Sequence, residues 1–184
     1  DLEFYGLTSS NKLIRYNART IGTPLSSVTI TGLQSGEQLL AIDFRPATGQ
    51  LYGIGSSNRL YMIQLPGGMA TAVGTSNFTP ALSGNMTGFD FNSTVDRIRV
   101  VTSTGQNLRL HPETGAVVAT DGNLNPGNYT VSAAAYTNNI AGASSTILYD
   151  IDLSAGKLLK QSPPNDGVLI EVGSLGVMTG TQND

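Results

Sequence analysis

Residues 39–73 read LLAIDFRPATGQLYGIGSSNRLYMIQLPGGMATAV and consist of four short apolar runs separated by turn sequences. The runs occupy residues 39–44, 51–54, 60–63 and 70–73. The first turn contains Pro46 and Gly49. Proline presets one turn dihedral and glycine accepts a positive φ, so this segment has a physical reason to reverse the chain. The pattern predicts a four-stranded antiparallel meander, with strands A to D, of the kind that forms one β-propeller blade.

The same order of runs and turns recurs along the chain with a period of about fifty residues. Strand B of the successive units includes Phe4, Leu51, Ile98 and Leu148. A repeat of this length, built from short strands, is typical of β-propellers. The sequence therefore predicts an all-β fold, a β-propeller-like array of about four four-stranded antiparallel blades. We expect a single domain over residues 1–184, with repeat units at about 3–38, 39–85, 86–130 and 131–184.

The first unit is predicted to lack its inner strand, because it begins at strand B with Phe4. At the other end of the chain, Met178-Thr179-Gly180 repeats Met86-Thr87-Gly88, which opens strand A of the third unit. We expect the missing strand to come from residues 175–180, from a second molecule, or from a longer natural protein, since an unpaired sheet edge readily pairs with another strand. The predicted assembly edge consists of Phe4, Tyr5, Leu7, Leu175, Val177 and Met178.

The composition argues against several classes of partner. The net charge is −3 and only 12% of residues are charged, and the closest basic pair, Arg97 and Arg99, is too small to follow a phosphate backbone. No run reaches the roughly 18 apolar residues of a membrane helix. We therefore predict no nucleic-acid binding and no membrane insertion. The absence of cysteine, the start at Asp1 and the many Thr, Asn and Gly residues predict an extracellular or cell-surface location in a prokaryote.

Two aspartates occupy equivalent positions on predicted inner strands, Asp43 and Asp90. Inner strands converge on the propeller axis, where carboxylates can hold calcium, which takes six to eight oxygen ligands. The alternative is structural, with each carboxylate accepting hydrogen bonds from nearby backbone. The third equivalent position is Ala135. Calcium is thus the one cofactor that the sequence leaves open, with Asp43 and Asp90 as its ligands.

The remaining chemical candidates are few. His111 is the only histidine, so neither a His cluster for zinc nor a Cys–His pair exists. The tyrosines on the predicted B strands either pack between blades or form a platform for a glycan, and we leave both readings open. They are Tyr5, Tyr52 and Tyr149. Four N-glycosylation sequons begin at Asn77, Asn85, Asn92 and Asn128, and they matter only in a source that glycosylates.

Three segments resemble a known family. They are LLAIDFRPATGQLYG at 39–53, GFDFNSTVDRIRVVTSTGQNLR at 88–109 and AAAYTNNIA at 133–141. They are similar to bacterial secreted or surface proteins of domain of unknown function 4394, and the likeness covers about residues 7–176. The resemblance implies a propeller-like fold and an exported location, and it carries no catalytic residues. Members of the family usually extend further, which implies that this chain is a fragment or a processed form.

The small number of candidate catalytic residues favours a non-enzymatic function over an enzymatic one. Our leading prediction is an extracellular structural, adhesion or assembly module that forms homo-oligomers or filaments by strand complementation at the incomplete blade. One alternative is a calcium-dependent propeller hydrolase of the lactonase or phosphoesterase type, with Asp43 and Asp90 as metal ligands. Another alternative is a glycan-binding propeller. These three functions need different surfaces, so the arrangement of the blades bears on each of them.

Overall fold

The computed structural model describes residues 2–177, which form four small antiparallel sheets arranged as the blades of a β-propeller. The first blade contains β1 (Glu3–Leu7), β2 (Lys12–Asn17) and β3 (Ser26–Thr29). The second contains β4 (Leu39–Phe44), β5 (Leu51–Gly55), β6 (Arg59–Gln64) and β7 (Met69–Val73). The third contains β8 (Thr87–Asn92), β9 (Arg97–Thr102), β10 (Asn107–Leu110) and β11 (Val117–Thr120). The fourth contains β12 (Ala133–Tyr136), β13 (Leu148–Asp152), β14 (Lys157–Gln161) and β15 (Leu169–Ser174).

The predicted propeller-like fold of four blades is confirmed, and so is the break in the first blade. Within the described residues the first sheet has the order β1-β2-β3, whereas the other three sheets each have four strands in sequence order. The strand boundaries agree with the sequence pattern because alternating apolar residues and turn residues act over only a few neighbours. One short element was not predicted, a 3-10 helix at Pro164–Asp166 between β14 and β15.

The blades pack face to face, and their inner strands β4, β8 and β12 lie side by side. Three clusters of buried apolar side chains form the core. The first joins blades one and two around Leu13 and Tyr61, and the second joins blades two and three around Phe91. The third joins blades three and four around Val101 and Leu159. Each sheet therefore buries one face against the next sheet, as expected for radially arranged blades.

Backbone contacts tighten this packing. A Cβ on Gly88 of β8 would lie 2.8 Å from the backbone N of Ala134 in β12, so only glycine permits the observed approach of these inner strands. Short parallel bridges also link Thr31 to Met69 and Asn125 to Val168, each from one blade to the next. Residues 2–177 contain no helix with the length and apolar character that crossing a bilayer requires.

Candidate functional site

Asp43 and Asp90 hold corresponding places on β4 and β8, and each binds the backbone of the following blade. The Asp43 Oδ2 accepts a hydrogen bond of 2.9 Å from the N–H of Phe91, and the Asp90 Oδ2 accepts one of 2.8 Å from the N–H of Tyr136. The structural alternative predicted that each carboxylate accepts hydrogen bonds from nearby backbone, for instance from the turn that follows it. The donor is instead the inner strand of the next blade.

The two carboxyl groups also affect each other's ionisation. Burial raises the pKa of Asp43, while hydrogen bonds from the backbone of Phe91 and Phe44 and from the Asp90 side chain act in the opposite direction. Burial, followed by the charge of Asp43, raises the pKa of Asp90 to about 8. Two carboxyls in one half-buried place cannot both ionise easily, so the pair retains one proton near neutral pH. The arrangement can share a proton or accept a cation.

The metal prediction for this pair requires ligands beyond the two aspartates. Among residues 2–177, no group of three or more His, Cys, Asp and Glu side chains is placed to hold a metal ion. Calcium at Asp43 and Asp90 would therefore have to complete its coordination with backbone oxygens and water. Neither carboxylate forms an ion pair with a lysine or arginine of the described residues. Calcium at this position stays a prediction.

A second polar cluster lies between the third and fourth blades and was not predicted from the sequence. Its centre is Arg99 of β9, which is 2% exposed. The Arg99 Nη1 donates to Asp121 at 2.6 Å and to Asn107 at 2.7 Å. Its Nη2 donates to Asn165 at 2.8 Å, and its Nε donates to the Tyr136 hydroxyl at 3.2 Å. The signal in the sequence was an arginine placed between the apolar residues Ile98 and Val100.

The family model "Domain of unknown function (DUF4394)" matches residues 12–184. The chain belongs to this family. The resemblance found in the sequence is thus confirmed, while the exported location stays a prediction. No curated protein matches the chain. The family description names no activity, so any function must be argued from the residues of this DUF4394 domain.

Two of the three predicted tyrosines of the DUF4394 domain, Tyr5 and Tyr52, take part in packing between blades. Tyr52 is buried and meets the Phe91 ring edge-on, with centroids 5.3 Å apart. Tyr5 is half-buried and tilts against Phe44 at 5.7 Å, so it joins the first blade to the second. Tyr149 is half-buried on β13. The rings of Tyr5 and Tyr52 therefore contribute to the core and are not displayed together as a flat outer platform.

His111 has a local structural role in the DUF4394 domain. It follows β10, and its Nδ1 accepts a hydrogen bond of 3.2 Å from the N–H of Glu113. This bond closes the turn that contains Pro112 and leads toward β11. A side chain that accepts a hydrogen bond from the residue two positions ahead stabilises a turn, and the contact supplies no nucleophile.

The predicted assembly edge is partly described. Phe4 is 42% exposed and stacks on Tyr16 with centroids 5.4 Å apart, while Tyr5 and Leu7 pack into the core between blades one and two. Residues 175–177 follow β15 and form no strand, and the N–H of Leu175 donates to the carbonyl of Gly156 at 2.9 Å. Val177 is exposed. Met178, the last member of the predicted edge, lies outside the described residues.

Proposed function

We propose that this chain is a non-enzymatic extracellular structural module that assembles with copies of itself by strand complementation at the first blade. The observation that carries the proposal is the edge of β1, which pairs with no inner strand among residues 2–177. In the other blades the equivalent strands β5, β9 and β13 are each covered by an inner strand. Within residues 2–177, β1 pairs only with β2. An uncovered strand of this kind is a template for strand addition.

The side chains at this edge support the proposal. Leu2 is 71% exposed and Phe4 is 42% exposed, so apolar surface accompanies the free backbone groups. Natural proteins usually protect an edge strand with lysine, proline or a bulge. The charge on β1 is Glu3, and Arg15 of the adjacent strand neutralises it. The edge is therefore poorly protected against pairing.

We infer that the occupant comes from residues 175–184 of a second copy. Its Met178-Thr179-Gly180 repeats the sequence at which β8 begins, so it carries the sequence of an inner strand. The chain passes from the outer strand of one blade to the inner strand of the next through residues 30–38, 74–86 and 121–132. Only residues 175–178 separate β15 from Thr179, the counterpart of Thr87. A short connection favours exchange between molecules over closure within one.

The absence of cysteine allows a direct test by an engineered disulfide. In the third blade Phe89 lies opposite Val100, and the corresponding pair at the first blade is Thr181 and Gly6. We expect the double variant Gly6→Cys, Thr181→Cys to form disulfide-linked oligomers on non-reducing gels. The single variant Gly6→Cys is the control and should remain unlinked. A disulfide closed within one chain, in a protein that is monomeric by analytical ultracentrifugation, would overturn the proposal.

The Asp43–Asp90 pair supports a second candidate, a calcium-binding propeller of the kind found in metal-dependent hydrolases. The supporting observation is a shared carboxyl pair without a cationic partner in the described residues. Millimolar calcium should then raise the Tm of the wild type and leave that of Asp90→Asn unchanged, because calcium prefers charged oxygen ligands. Magnesium serves as the matched control ion. An unchanged wild-type Tm in calcium would end this candidate.

A further inference from the structure

Asp150 of β13 is fully buried, and neither of its carboxylate oxygens accepts a hydrogen bond from the described residues. A second unpaired acceptor, the Oε1 of Gln161 in β14, is also buried. The orientation of the Gln161 amide is set at its other atom, because Nε2 donates to the carbonyl of Pro164 at 2.7 Å. Buried acceptors are normally paired, so this group of oxygens requires a physical explanation.

The strand register places these oxygens on the face of the fourth blade that meets the third. Asp150 lies opposite Leu159, and Leu148 lies opposite Gln161, so Asp150 and Gln161 are diagonal neighbours on one face. Tyr136 lies opposite Leu148 on the same face, and its hydroxyl accepts the hydrogen bond from Arg99 of the third blade. Asp150 therefore lies within the contact between the two blades.

Several charged and titratable side chains lie on the surrounding elements. They are Asp90 on β8, Arg97 and Arg99 on β9, Arg109 on β10, Asp121 after β11, Tyr136 on β12, Tyr149 and Asp152 on β13, Lys157 and Lys160 on β14, Asp166 in the 3-10 helix and Glu171 on β15. Arg109 shares Asp121 with Arg99, and Lys157 pairs with Glu171. Asp152 accepts hydrogen bonds from the Thr130 N–H and the Ser154 hydroxyl. None of these groups forms an ion pair with Asp150.

A carboxylate in this position is unfavourable in its charged form. Transfer of a charge from water to a buried place without donors costs free energy that protonation avoids. Burial accordingly raises the pKa of Asp150 to about 7, and the positive charge of Arg99 acts in the opposite direction. Packing of the blades therefore favours the protonated carboxyl of Asp150, whereas exposure to water favours the carboxylate.

We propose that Asp150 makes the contact between the third and fourth blades pH-dependent, with the blades packed most stably while Asp150 is protonated. Ionisation leaves a buried anion whose oxygens lack donors, and it draws on Arg99, whose guanidinium already binds Tyr136 and Asn165 across the blade boundary. The anion can be stabilised by entry of solvent or by movement of Arg99 toward it. Either change weakens the contact between the third and fourth blades. The inference is independent of strand complementation, since β1 lies in a different blade.

The pH dependence has a definite sign. A carboxyl whose pKa is raised on folding contributes stability that is present below its unfolded pKa and is lost as pH rises through its folded value. We expect Asp150→Asn to gain Tm over the wild type as pH rises from 5 to 8, by about 5 °C in a domain of this size. Asp96→Asn is the matched control, because a hydrogen bond from Arg45 lowers the pKa of Asp96, so its Tm difference from wild type should stay constant over this range. A Tm difference between Asp150→Asn and wild type that stays constant from pH 5 to 8 would overturn the proposal.

Two further measurements test the proposal. The first shows which strands lose stability as pH rises, and the second can be made on the wild type alone. Hydrogen exchange, corrected for its intrinsic pH dependence, should speed up in β9 and β13 between pH 5 and 8, and it should speed up less in Asp150→Asn than in the wild type. If the variant fails to fold, carbon NMR of the wild-type carboxyl groups replaces it. A titration midpoint of Asp150 near 7 supports the proposal, and a midpoint near 4 contradicts it.

Discussion

The Asp43 carboxylate of the second blade accepts a hydrogen bond of 2.9 Å from the backbone N–H of Phe91 in the third blade. The same relationship recurs one repeat later, where Asp90 accepts a hydrogen bond from the N–H of Tyr136. The inner strands of neighbouring blades belong to separate sheets and share no backbone hydrogen bonds. Each of these side-chain bonds therefore links two strands that are otherwise not hydrogen-bonded as a sheet. An aspartate followed by an aromatic residue is therefore a repeated device that links one blade to the next.

Removal of the Asp43 acceptor should destabilise the domain. We expect Asp43→Ala to lower the free energy of unfolding by about 1–3 kcal/mol, because it leaves the Phe91 N–H buried without a partner. Urea unfolding followed by circular dichroism measures the difference. Asp43→Asn is the control, since its amide oxygen can still accept the hydrogen bond. Equal losses in the two variants would show that the hydrogen bond is not the stabilising interaction.

Asp90 should make stability fall at alkaline pH. Its pKa is raised to about 8, so the stability it contributes is present in acid and is lost as pH rises through 8. Asp90→Asn should therefore gain about 2 kcal/mol over the wild type between pH 6 and pH 9. Asp96→Asn is a suitable control, because a hydrogen bond from Arg45 lowers the pKa of Asp96 and its contribution changes only in acid. The prediction fails if the two variants show the same pH profile relative to wild type.

The buried guanidinium of Arg99 should be essential for joining the third and fourth blades. We expect Arg99→Met to cost about 3–5 kcal/mol, because it leaves Asp121 and its neighbours with fewer partners in a buried place. Arg97→Met is the control on the same strand, as its side chain is half-buried and bonds only to backbone carbonyls of the adjacent turn. Chemical denaturation gives both values, and a loss at Arg99 no larger than that at Arg97 would refute this role.

Gly88 should tolerate no side chain. An added Cβ would lie 2.7 Å from the Val101 side chain and 2.8 Å from the backbone of Ala134, and backbone cannot move aside easily. We expect Gly88→Ala to destabilise by about 1–3 kcal/mol through overpacking. At Gly127 nothing lies within 4 Å of the added atom, so Gly127→Ala is the matched control. Thermal unfolding should separate the two variants by several degrees, and equal Tm values would contradict the close approach of β8 and β12.

The blades themselves could be predicted because their signals are local. Strand B of the second blade reads LYGIG between the turn at Pro46–Gly49 and the turn at Ser56–Asn58, and the structure places β5 there. Apolar alternation and turn chemistry depend on residues a few positions apart, so the order of residues was sufficient to determine them.

The polar interior was decided by tertiary packing. The equivalence of Asp43 and Asp90 was apparent in the repeat, but their donors belong to the following blade. Arg99 binds Asn165, a residue far along the chain, and Asp150 lies unpaired at the same blade boundary. A buried polar side chain takes its partners from whichever element stands against it. That neighbour is set by the stacking of whole sheets, so the repeat pattern determined the blades and only their packing decided which buried charges are satisfied.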